Sequence, residues 1–106
     1  MKKVKSNIKN KYVIVRTDCM GVFAGYLQPE STETLKILKQ ARRIWYWSGA
    51  ASLSQLAMEG TKTPGSCRFP CEVDRVELSS PRGFEVLDVT EVARKCIQSV
   101  PIWESK

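Results

Sequence analysis

The residues best suited to chemistry lie in ARRIWYWSGAASLSQLAMEG, residues 41–60. Arg42 and Arg43 precede the triplet Trp45, Tyr46 and Trp47, and small residues then lead into a helix start. An aromatic face stacks on a nucleobase at roughly 1–3 kcal/mol per base, and a guanidinium makes bidentate contacts to phosphate. Ser48, Ser52 and Ser54 add hydroxyl donors, while Gly49, Ala50 and Ala51 let a phosphate approach helix-terminal N–H groups. These types together suit a small nucleotide. The candidate ligand-binding residues are Arg42, Arg43, Trp45, Tyr46, Trp47, Ser48, Gly49, Ser52 and Ser54. The stretch lacks the ordered glycines of a P-loop.

A structural reading competes with this one. On a strand Trp45 and Trp47 face one side and Tyr46 the other, as Arg42 and Arg43 also divide, so at least one ring face belongs to a core. The expectation is that at least one ring lines a pocket shared with Arg42 or Arg43 and residues 48–54.

Catalytic chemistry is sparse elsewhere. The chain has no histidine, which removes Ser-His and Cys-His nucleophilic pairs. Asp18, Glu59, Glu72, Asp74, Glu85 and Asp88 form no recognisable carboxylate pair and read as solvated. Cys67 and Cys71 are four residues apart, but Cys19 and Cys96 stand alone, so no zinc set is complete. In a reducing compartment all four read as free thiols. The expected protein is non-enzymatic, without cofactor or metal.

The elements that must position the triplet follow from local pattern. YVIVRT (12–17) and GVFAGYL (21–27) read as a hairpin around Asp18–Gly21. TLKILKQARRIWYW is ambiguous: Leu35, Leu38, Ala41 and Trp45 fit helical spacing, yet the Ile-Trp-Tyr-Trp run favours a strand over at least 42–47. Ser52 and Gln55 form an S-x-x-Q capping box that predicts a helix over 53–59, ended by Gly60. EVDRVEL (72–78) and FEVLDV (84–89) read as strands joined by SSPRG. Thr90 caps a last helix with Ala93, Cys96, Ile97 and Val100 on its buried stripe; Pro101 ends it, and Trp103 folds back onto the body. The fold class is α+β: a small, mainly antiparallel sheet domain with two short helices.

Charge divides the chain into residues 1–11, a basic tail, and residues 12–106, a single domain. Of 17 basic residues in 106, five are lysines within the first eleven positions; the remainder balances 12 bases against 11 acids. A basic tail on a near-neutral body differs from a uniformly basic nucleic-acid binder, though such a tail can contact phosphates. No run approaches the roughly 20 apolar residues of a membrane span, and no secretory signal opens the chain.

ARRIWYWSGAASLSQLAMEG, with CRFPCEVDRVEL and the closing VPIW, resembles a family of small uncharacterised tailed-phage and prophage proteins, over about residues 12–103. The resemblance implies host cytoplasm during infection and, by analogy, a binder of host components. The leading expectation is an anti-defence sponge, a homo-oligomer that sequesters a small nucleotide such as a cyclic nucleotide or an ADP-ribose derivative. The alternatives are a DNA- or RNA-binding accessory protein using the lysine tail, or a protein-binding inhibitor of a host factor.

Overall fold

The computed structural model describes residues 10–104. Strands β1 (Tyr12–Arg16), β2 (Val22–Leu27), β3 (Leu35–Arg43), β4 (Val73–Ser79) and β5 (Glu85–Asp88) form one antiparallel sheet in the order β4-β3-β2-β1-β5. Helices α1 (Leu53–Glu59) and α2 (Glu91–Ser99) complete the small α+β domain. The basic segment expected over residues 1–11 falls outside the described residues except for Asn10 and Lys11, and Lys11 pairs with Asp88 at 3.8 Å. Among the described residues no helix is long and apolar enough to cross a membrane.

β1 lies inside the sheet, between β2 and β5, and its apolar run is buried on both faces. Tyr12 and Ile14 face the helices, packing with Ala24, Ile44, Leu56, Phe69 and Ile97. Val13 and Val15 face the opposite side with Phe23, Leu38, Ala41 and Leu78. Both faces of the hairpin are therefore apolar, and alternation along β1 serves two cores rather than one core and solvent.

β4 and β5 follow each other in sequence yet occupy opposite edges of the sheet. The connection SSPRG is thus not a hairpin turn. It runs past the β1–β2 turn, where the Ser80 hydroxyl donates to the Asp18 carboxylate at 3.4 Å and Arg82 pairs with Asp18 at 3.5 Å. Phe84, at its end, covers the second core.

The ambiguous segment 34–41 is strand from Leu35 onward, and a bulge explains its helical spacing. Ala24 pairs with Arg42 but Tyr26 with Lys39, so β3 spends one extra residue against β2. Gln40 takes φ 50° at that point. Gly25 admits the bulge, since a Cβ there would lie 3.0 Å from the Lys39 carbonyl oxygen. The extra residue moves the buried positions from Leu38 to Ala41, an interval of three that imitates a helix. The expected strand over 42–47 is corrected in consequence: β3 ends at Arg43, and the aromatic triplet runs off the sheet.

Helix α1 begins as the capping residues dictate. The Ser52 hydroxyl accepts from the Gln55 N–H at 3.1 Å, while the Gln55 side chain reaches back to the N–H of Ala51 at 2.6 Å. Leu53, Leu56 and Ala57 bury its inner face. Thr90 ties the two helices together: its hydroxyl caps α2 through the Ala93 N–H at 3.1 Å and donates to the Met58 carbonyl at 2.8 Å. We expect Ser52→Ala to lower stability by about 1 kcal/mol, the usual worth of a hydroxyl N-cap. Urea denaturation checks this, and an unchanged midpoint would show that the cap contributes nothing.

Candidate functional site

The aromatic triplet divides between core and surface. Trp47 packs against the helix-side core, whereas Trp45 and Tyr46 are 56% and 50% exposed. Trp45 stacks on Trp103 with ring centroids 5.0 Å apart and planes 12° from parallel. Such a pair contributes about 0.5–1.5 kcal/mol beyond its buried area, so the chain terminus does fold back through Trp103.

A small ladder outside the main sheet builds this surface. Tyr46 forms an isolated antiparallel bridge with Arg68, and Phe69 a parallel bridge with Ile102. The Arg68 N–H donates to the Tyr46 carbonyl at 2.7 Å, and the Trp103 N–H donates to the Phe69 carbonyl at 3.0 Å. Fully buried Phe69 anchors the middle segment from below. Arg68 consequently lies among three rings, 5.5 Å from Trp45, 5.6 Å from Tyr46 and 5.6 Å from Trp103. Among the described residues it makes no ion pair.

The two arginines expected beside the rings lie elsewhere. Arg42 is 4% exposed, and its side chain turns under the C-terminal end of α2. It donates to the carbonyls of Pro70 (3.1 Å), Ile97 (3.0 Å), Val100 (2.7 Å), Phe69 (3.0 Å) and Pro101 (3.4 Å). A guanidinium has five N–H donors, so none is left over. Burial lowers its pKa from the ordinary value, with Tyr12, Glu72 and Cys71 acting in the opposite direction. Arg43 faces the other side of the sheet, 4.3 Å from the Phe23 ring, and donates to the Met20 carbonyl at 2.9 Å. The expected pocket shared by ring, Arg42 or Arg43, and residues 48–54 does not form.

Residues 48–54 are occupied by structural contacts. The Ser48 carbonyl accepts from the Thr61 hydroxyl, and the Ser48 hydroxyl accepts from Thr63 at 3.2 Å. The Ser48 N–H donates to the Cys67 sulfur at 3.4 Å. Gly49, at φ 85°, is required by close approach: a Cβ there would lie 2.5 Å from the Thr61 hydroxyl oxygen and 2.6 Å from the Thr63 nitrogen. The backbone N–H groups of Ala51 and Gln55 at the helix start are taken by the Gln55 and Ser52 side chains of the capping box. Ser54 is exposed on α1, away from any described cleft.

Two surface clefts do occur. One of about 330 Å³ is lined by Asn10, Tyr26, Gln28, Lys39 and Gln40 beside the β3 bulge. The other, about 420 Å³, lies over Arg16, Asp18, Arg82 and Phe84. Neither includes a residue of the triplet. The described cysteines are free, with Cys67 buried and Cys19 and Cys71 exposed. Among the described residues no group of three or more His, Cys, Asp or Glu side chains could hold a metal.

A family model matches residues 10–97, most of the chain. The chain belongs to the DUF6948 family, a domain of unknown function. No curated protein and no solved structure matches it. The DUF6948 match takes in Trp45, Tyr46 and Arg68 and ends before Ile102 and Trp103, so one side of the aromatic face lies beyond the matched residues.

Sequence reasoning missed Arg68 and Trp103 as partners of the triplet. The sequence has Trp103 fold back onto the body without a named partner, and Arg68 lies in a stretch marked only by its two cysteines and its family resemblance. The local signal was the alternation in Arg68, Phe69 and Pro70: an exposed cation next to a fully buried ring marks a strand-like segment with one face outward.

Proposed function

We propose that the protein is a non-enzymatic binding module that engages another protein through the face of Trp45, Tyr46, Arg68 and Trp103. The observation that carries this reading is Arg68 at 5.5–5.6 Å from three rings that each keep an exposed surface. Trp, Tyr and Arg are the residue types over-represented among energetic hot spots of protein interfaces. The exposed parts of Trp45 and Tyr46 supply the apolar area that a protein partner covers and a phosphate backbone does not. Arg68 brings a positive charge that has no carboxylate partner among the described residues, so the complementary surface is an apolar or aromatic patch bearing an acidic side chain. On the resemblance to phage proteins, that partner is a host factor met in the host cytoplasm, and binding inhibits it.

The nucleotide-sponge reading uses the same rings. A base can stack on Trp45 or Tyr46 while Arg68 holds a phosphate. An open face covers less of a small ligand than the 70–90% or more typical of a small-molecule site, and this favours the larger partner. Affinity capture with wild-type protein and with the double variant Trp45→Ala/Arg68→Ala, alongside thermal-shift screening against cyclic nucleotides and ADP-ribose derivatives, separates the two. We expect a stoichiometric protein partner that the double variant loses. A nucleotide that raises Tm only when Trp45 and Arg68 are intact would replace the protein reading with the sponge.

A further inference from the structure

We propose that the protein self-associates through β4, two copies pairing their outer edges antiparallel about a two-fold axis at Val76. Among the described residues β4 pairs with β3 alone, and its other edge has no neighbour in the sheet.

The ladder determines which backbone groups that edge presents. The Ser80 N–H donates to the Thr34 carbonyl at 3.0 Å, immediately beyond the pair Leu35 and Ser79. Hydrogen-bonded and non-hydrogen-bonded pairs alternate along an antiparallel ladder, so Leu78 and Val76 direct their backbone groups to β3. Arg75, Glu77 and Ser79, and Val73 by the same alternation, direct theirs outward. Bonds on β3 agree: the Ile37 carbonyl, opposite Glu77, accepts from the Gln28 N–H at 2.8 Å and so points away from β4.

Two antiparallel copies must match outward residues with outward residues. Centring the axis on Val76 does this over the whole strand, setting Arg75 against Glu77 of the partner subunit and Val73 against Ser79 of the partner subunit. Sliding by one pleat in either direction sets arginine against arginine or glutamate against glutamate, which is unfavourable. Only one full-length register is both hydrogen-bonded and charge-complementary.

The side chains are already arranged for it. Arg75 and Glu77 pair within β4 at 2.6 Å, each about half exposed. Two such pairs across the axis make a square of alternating charges. Lys39 lies opposite Arg75 on β3, two cations facing each other; the partner's Glu77 brings a second carboxylate toward them. β4 also lacks a proline or bulge of the kind that commonly blocks edge-to-edge pairing. The interface is isologous and closes at two copies, joining the sheets into one of ten strands. A strand edge alone buries less than a standard interface, so the association depends on concentration.

Sedimentation equilibrium on the full chain tests this through a charge-reversal cycle. Wild type is expected to move from monomer to dimer as concentration rises. Arg75→Glu and Glu77→Arg should each weaken dimerisation by about tenfold or more, and the double variant Arg75→Glu/Glu77→Arg should restore it. Melting curves of the four proteins confirm that each is folded. A wild type that stays monomeric throughout, single reversals that dimerise unchanged, or a double variant that fails to recover would each overturn the proposal.

Discussion

Arg42→Ala is expected to destabilise the fold by at least about 3 kcal/mol, a large share of the roughly 5–15 kcal/mol available to a domain of this size. The guanidinium serves five carbonyls from three places: Phe69 and Pro70 before β4, Ile97 and Val100 at the end of α2, and Pro101 beyond it. Each buried acceptor left without a donor costs about 1–3 kcal/mol, so the figure holds even if water reaches most of them. The α2 carbonyls also lose a cation at the negative end of the helix dipole. Tm should fall by roughly 12 °C or more. Arg42→Lys should recover only part of this, because three donors on one nitrogen cannot reach five acceptors around a planar fork. Thermal and urea denaturation of both variants provide the measurement; an Arg42→Ala protein that melts like wild type would mean the strap contributes little.

Alanine at the exposed rings should have the opposite profile. Trp45→Ala and Arg68→Ala are each expected to weaken binding of the captured partner by about 2 kcal/mol or more, the threshold of an interface hot spot. Their folding cost should be small. The stack of Trp45 on Trp103 and the exposed cation–π contacts of Arg68 are worth about 0.5–1.5 and 0.5–1 kcal/mol respectively. Trp47→Ala should instead lower stability by about 2 kcal/mol and leave affinity nearly unchanged, since that ring is partly buried against the helix-side core. Calorimetric titration and melting curves on the three variants decide. Equal affinity losses at Trp45 and Trp47, or none at Trp45 and Arg68, would contradict the assignment of the surface.

What the sequence determined by itself was local. The β-branched run made the strand Tyr12–Arg16, Ser52 and Gln55 started a helix at Leu53, Thr90 started another at Glu91, and Asp18–Gly21 turned the hairpin. Each depends on groups within a few residues of one another, so residue type and spacing suffice. Those elements were enough to specify a small α+β domain with an antiparallel sheet.

The tertiary structure alone decided the rest. The bulge at Gln40 shifted the phase of β3, sending Arg42 to the helix side and Arg43 to the opposite face. Its position depends on Gly25, a contact between strands that no pattern within 34–47 encodes. The side chains that flank the exposed rings come from Arg68 and Trp103, brought beside Trp45 and Tyr46 by bridges between distant segments. Small residues at 48–51 have the same composition whether they admit a phosphate or the hydroxyls of Thr61 and Thr63; the folded chain places the threonines there. Arginine beside tryptophan in sequence suggested a site, but a guanidinium goes where unpaired carbonyls are buried, and those lie at the end of α2.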